Sequence, residues 1–214
     1  MKLDVDLHKR IYKAERVLGE QSPELGVLIR RQGHIVREPR PNYFYSLARS
    51  IVGQQVSVAA AAAIFGRLDA ATGMDPKRIL AFGDEELRAV GLSRQKIGYI
   101  RDLAEKFAEN PEVYMHLEKL SDEEVQRELT AVRGIGVWTA QMFLMFTLVR
   151  LDVFAPDDVG LQRAMKALYG WEAVPARKEL EAIAERWRPY RTVASWHLWK
   201  SLDNEPVGEE MWKN

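Results

Sequence analysis

The sequence contains no cysteine. That excludes disulfides, thiolate metal sites and a cysteine-held iron–sulfur cluster, and it fits a reducing compartment. Charge of one sign is not in excess either, since 31 basic residues balance 31 acidic ones. A nonspecific nucleic-acid coat is usually basic overall, so the balance counts against one but leaves room for a single local basic face. Long apolar runs are absent. The richest stretch, 137–149, is interrupted by Thr139, Gln141 and Thr147 and falls short of the roughly 20 residues of a membrane span. The opening MKLDVDLHKR has no signal-peptide core. Alternating strand patterns with Asn-Gly turns are missing. The four histidines, His8, His34, His116 and His197, show no metal-ligand spacing. His197, beside Trp196 and near Trp199, reads as a satisfied structural histidine.

What is present is helical periodicity in a chain of 214 residues, a length for one large domain or two small ones. Residues 3–18 place Leu3, Leu7, Ile11, Val17 and Leu18 in a helical rhythm, with Gly19 as the expected C-cap. Ser22-Pro23 opens a second helix that runs to Gly33. Arg37-Glu38-Pro39-Arg40-Pro41 cannot be helical and reads as an extended connector and lobe boundary. Helices are then expected from Asn42, broken at Gly53-Gln54-Gln55, and from Ser57 through five consecutive alanines to about residue 68. Others follow Asp75-Pro76 and Asp84, and one spans Ser93 to Ala108 with basic residues at its start. Ser121-Asp122-Glu123-Glu124 is a capping-box pattern before Val125, Leu129 and Val132. After Asp158 a helix runs through Leu161, Met165 and Leu168 to Gly170. The last helices cover about 176–187 and 190–202, and the polar tail, 203–214, is expected to fray. The pattern predicts an all-α chain of about ten to twelve helices.

Arg133-Gly134-Ile135-Gly136 stands out within this frame. Two glycines one residue apart permit a tight turn between helices. The helix that follows, from about Val137, begins with N–H groups that lack helical partners, and its dipole attracts anions. The amides of Gly134 to Trp138 would fit a phosphate, and leftover hairpin carbonyls near Gly134 would suit a monovalent cation. On the glycines alone, a plain corner between two core helices is the commoner arrangement. Asp157 and Asp158 likewise allow two readings. After Pro156 and before a helix they can be an N-cap alone, or carboxylates kept ionised for chemistry. The cluster of Arg177, Lys178, Arg186, Arg188, Arg191 and Lys200 reads as a phosphate-facing stripe or as a mixed-charge surface with Glu179, Glu181 and Glu185.

A longer pattern is more specific. Leu129-x-x-Val132-x-Gly134-Ile135-Gly136-x-x-Thr139-Ala140, followed about 18 residues later by Asp158, resembles the helix-hairpin-helix DNA glycosylases. Trp138-Thr139-Ala140, Asp152-Val153-Phe154-Ala155-Pro156-Asp157-Asp158 and Ser50-Ile51-Val52-Gly53-Gln54-Gln55-Val56-Ser57 narrow the resemblance to the alkylpurine, or 3-methyladenine II, branch. It covers about residues 42–200.

The resemblance implies a two-lobed all-α glycosylase fold without a leading β domain. One lobe would join residues 1–42 to 153–214, and the other would be continuous from 43 to 152 and carry the helix-hairpin-helix at about 121–150. A DNA-binding cleft is expected between the lobes. It also implies roles. Asp158 would be catalytic, and Asp157 a capping neighbour. Trp138, Met142, Trp199 and Tyr43 would line the base pocket, with Phe44 nearby. Gln54, Gln55, Arg133, Gly134, Gly136, Val137 and Thr139 would bind DNA, with Gln55 as the wedge that fills the gap left by a flipped base. Relatives that nick the strand carry a Lys at the position of Trp138, so a monofunctional enzyme without lyase activity is implied. Its substrates would be alkylated purines in double-stranded DNA, 3-methyladenine first, with 7-methylguanine as a further candidate. No iron–sulfur cluster is expected, and a monovalent cation on the hairpin carbonyls is the one candidate cofactor. A monomer is expected, in the cytoplasm with the nucleoid of a prokaryote or in a eukaryotic nucleus. The rival reading is a helix-hairpin-helix DNA-binding module without chemistry.

Overall fold

Short polar side chains set the helix starts. Asp4, Asn42, Ser57, Asp75, Ser93, Ser121 and Asp158 each accept a first-turn amide that has no helical partner. Ser121 and Glu124 complete the expected capping box, with each side chain bonded to the other's backbone amide. The computed structural model describes residues 4–202; the tail at 203–214, expected to fray, lies outside them.

The described residues form thirteen α-helices and no strand. They are α1 (Val5–Gln21), α2 (Pro23–Gln32), α3 (Tyr43–Gly53), α4 (Val58–Thr72), α5 (Pro76–Ala81), α6 (Asp84–Ala89), α7 (Arg94–Glu109), α8 (Pro111–Tyr114), α9 (Asp122–Thr130), α10 (Val137–Phe146), α11 (Val159–Tyr169), α12 (Arg177–Glu185) and α13 (Arg191–Ser201). The all-α expectation holds, with more pieces than ten to twelve. Helix α8 and a 3₁₀ turn at Leu117–Lys119 are too short to show a period in sequence.

Two expected boundaries move for physical reasons. Gly19 is not a C-cap, because α1 continues to Gln21. A Cβ on Gly26 would lie 2.7 Å from the Gly19 carbonyl oxygen and 3.2 Å from its Cα, so these glycines let the backbones of α1 and α2 touch. Helix α4 passes residue 68 and ends at Thr72, where left-handed Gly73 caps it.

The chain divides into two compact units. One takes in the residues up to Pro39 and resumes at Leu144; the other is Arg40–Phe143. The joins implied by the resemblance are at 42–43 and 152–153.

In the first unit α13 is central. Every residue from Thr192 to Trp199 is buried, as expected of a helix surrounded by others, and α1, α2 and α11 pack on it. Its core includes Ile11, Leu18, Leu25, Trp187, Trp196 and Leu198. Buried Glu15 ties the layers together. Its carboxylate accepts from the Ile35 amide at 2.9 Å and meets His34 Nδ1 at 2.6 Å and His197 Nε2 at 3.1 Å. His197 Nδ1 faces Gln32 Oε1 at 2.8 Å, so this histidine is satisfied and structural. In the second unit α3 and α7 pack together, with α4 on α3 and α5 on α7, around Leu47, Ile51, Leu68, Ile79, Ile100 and Leu103.

Candidate active site and DNA-contacting hairpin

Asp158 is the N-cap of α11 and is 6 % exposed. Its Oδ1 accepts from the Leu161 amide at 2.6 Å and from the indole Nε1–H of Trp199 at 2.8 Å. An ordinary cap needs only the first of these bonds. The second, from a buried aromatic on the central helix, fixes the carboxylate's rotamer. The strip before it is pinned to the start of α13. Thr192 donates its amide to the Leu151 carbonyl at 3.0 Å, and its hydroxyl bonds the Val153 amide at 2.8 Å. Arg191 Nε donates to Asp152 Oδ1 at 2.9 Å and Nη2 to the Asp152 carbonyl at 2.7 Å. Gly160 completes the arrangement. A Cβ there would sit 3.2 Å from Asp158 Oδ1 and 3.3 Å from Trp199 Nε1, so glycine leaves the pair room to form.

Asp157 is no helix cap. Its carboxylate accepts from Arg177 Nη1 at 2.7 Å on the surface, and capping falls wholly to Asp158. Trp199 is buried to 1 % exposure, with its ring tilted against Phe146 at 5.5 Å between centroids. Sequence resemblance makes it a pocket aromatic, and its clearest contact here is with the carboxylate.

The hairpin between α9 and α10 closes with the Ile135 amide on the Val132 carbonyl at 3.1 Å. That amide therefore serves the turn, and the set of amides open to a phosphate is narrower than Gly134 to Trp138. Gly134 has φ +86°, and a Cβ there would run into the ring of Tyr99. Arg133 holds the turn from its other flank through Asp102, which accepts from both the Arg133 amide and Nε at 2.9 Å. Gly136 and Val137 are exposed, Trp138 is half-buried, and Thr139 and Met142 are buried. Val132 and Gly134 each already accept one hydrogen on their carbonyl oxygens.

The loop at 54–57, between α3 and α4, meets the hairpin directly. Gln54 Nε2 donates to the Gly134 carbonyl at 2.8 Å. Gln55, next along, is exposed and has φ +56°. Tyr43 donates its hydroxyl to Glu118 Oε2 at 2.9 Å and packs edge-on against Phe143. It also lines a cavity of about 700 Å³ with Phe44, Met74, Phe107 and Met115.

Residues 48–189 match the HhH-GPD superfamily of base excision DNA repair proteins. The chain belongs to that superfamily. It is 30% identical over 197 residues to the alkylbase DNA glycosidase-like protein mag2 of Schizosaccharomyces pombe, covering 88% of this chain and 92% of that one. Among solved structures it resembles a DNA-3-methyladenine glycosidase from Bacillus halodurans, with a TM-score of 0.81, 40% identity and 88% of each chain covered. It also resembles the S. pombe 3-methyladenine DNA glycosylase in complex with abasic DNA, with a TM-score of 0.77, 30% identity and 89% and 97% coverage.

In this HhH-GPD chain the C-terminal cations are mostly engaged within the fold. Arg177 pairs with Asp157 and Glu181, and Arg188 and Arg191 pair with Asp152 and Glu185. The mixed-charge reading of that surface is the one observed. Sequence reasoning passed over Gly160 and Lys96. A glycine two residues after a capping Asp, in an otherwise good helix, was the available signal for the first.

Proposed function

We propose that this HhH-GPD protein is a monofunctional DNA glycosylase that removes alkylated purines, 3-methyladenine foremost and 7-methylguanine with it, from double-stranded DNA. The observation that supports this most is Asp158, a buried carboxylate with one oxygen held by two donors. Breaking an N-glycosidic bond builds positive charge on the sugar, and an oriented anion stabilises that state. The C1′–N bond breaks with its electron pair leaving on the base. Water then adds to C1′, and Asp158 orients it or takes its proton. A purine alkylated on a ring nitrogen already carries positive charge, so it departs neutral without a strong acid, and one carboxylate suffices.

The other residues have roles in the same scheme. The amides of exposed Gly136 and Val137 hold a backbone phosphate, and a monovalent cation on the Val132 and Gly134 carbonyls would strengthen that grip. Trp138 stacks on the cationic base, and Gln55 fills the space the base leaves. The protein acts as a monomer. The test is incubation with methylated duplex DNA and mass detection of freed bases. Release of 3-methyladenine is expected; a protein that binds abasic duplex yet frees no alkylated purine contradicts the reading.

A further inference from the structure

The loop bearing Gln55 is gripped by a cation that its own helix does not favour. Lys96 lies in the first turn of α7, where the helix dipole disfavours positive charge. Its ammonium is turned instead to the end of α3. There Nζ donates to the Val52 carbonyl at 2.6 Å and to the Gln54 carbonyl at 2.7 Å. These are the carbonyls a helix leaves unpaired at its C-terminus, and the dipole there favours a cation. Burial lowers the Lys96 ammonium below its ordinary value, as expected for a group turned inward.

Gln54 is therefore clamped twice, with its carbonyl on Lys96 and its side-chain amide on the Gly134 carbonyl. Gln55 follows immediately, exposed and at φ +56°, a left-handed conformation that a side chain rarely adopts without support. The clamp supplies that support and couples the loop to the glycine turn.

We propose that Lys96 is a positioning residue for base flipping: through the Val52 and Gln54 carbonyls it presets the loop so that Gln55 enters the duplex already ordered. The proposal rests on the glycosylase reading only for what Gln55 does. The ordering itself belongs to the free protein. A preset loop avoids the ordering cost at the moment of binding.

The experiment compares wild type with Lys96→Met, Gln55→Ala and the double variant. If Lys96→Met does not fold, Lys96→Gln serves in its place. Amide hydrogen exchange at residues 54–57 of the DNA-free protein is expected to speed up by roughly tenfold in Lys96→Met. Unchanged exchange would overturn the proposal, and this readout needs no base release. For duplex carrying a stable abasic site, the dissociation constant should rise roughly tenfold in each single variant and no further in the double. The slope of binding against salt should stay as in wild type. Additive losses, or a slope reduced by about 1, would instead make Lys96 a phosphate contact and defeat the proposal. If wild type frees no base while exchange and abasic binding behave as stated, the glycosylase reading fails and the positioning role stands.

Discussion

Trp199 Nε1 and the Leu161 amide converge on a single oxygen of Asp158, at 2.8 and 2.6 Å. The central helix of the first unit thereby holds the carboxylate through an indole, and α11 holds it through its first turn. Trp199→Phe keeps the aromatic volume and removes one donor. A hydrogen bond to a charged group contributes about 1.5–3 kcal/mol, so single-turnover base release should fall by roughly tenfold or more. Affinity for abasic duplex should change little. An equal loss in both measurements would mean that Trp199 serves DNA binding and not the carboxylate.

Gly134→Ala should be costly where Gly136→Ala is not. At Gly134 the added methyl meets the Tyr99 ring and φ is +86°, while at Gly136 nothing lies within 4 Å. Urea unfolding should show a loss of about 1–3 kcal/mol for the first and under about 0.5 kcal/mol for the second. DNA affinity should drop with Gly134→Ala. Equal stabilities would refute the close approach.

Glu15 makes stability depend on pH. Burial disfavours its charge, but hydrogen bonds from His197, His34 and the Ile35 amide outweigh that and hold its carboxyl below the usual carboxylate range. A carboxyl depressed in the folded state adds stability above its unfolded pKa and loses it as pH falls through the folded one. Glu15→Gln should therefore cost about 1–3 kcal/mol at pH 7. The gap to wild type should narrow only as the pH falls below the unfolded Glu value of about 4.3. A deficit independent of pH down to the acid transition would show that packing, not charge, is what Glu15 supplies.

Borohydride treatment of the protein with lesion-bearing duplex should trap no covalent adduct. The resemblance puts Trp138 at the position of the Schiff-base lysine, and no lysine lies between Gly134 and Arg150. Denaturing electrophoresis reads the result, and a shifted band would place a lyase activity in the chain.

Most of this fold was legible because its helices are announced by local chemistry. Ser22-Pro23, Ser57, Ser121 and Asp158 sit where sequence capping rules put them. The glycine turn was legible for the same reason. What escaped depends on distant partners. Nothing near Gly19 in sequence says that Gly26 will touch it. Lys96 reads as one more basic residue at a helix start until Val52 and Gln54 are brought to it. The resemblance singles out Asp158 over Asp157, but the partners of the two escaped it: Arg177 takes Asp157 into a surface ion pair, and Trp199 holds Asp158.

Asp158 is proposed to stabilise the charge that builds on the sugar as the glycosidic bond breaks. Asn caps a helix about as well as Asp, so Asp158→Asn should stay folded and bind abasic duplex. Single-turnover release of 3-methyladenine from duplex DNA, wild type against Asp158→Asn, is the most direct measurement. A loss of roughly 10²–10³-fold or more is predicted, and equal release by the two proteins would contradict it.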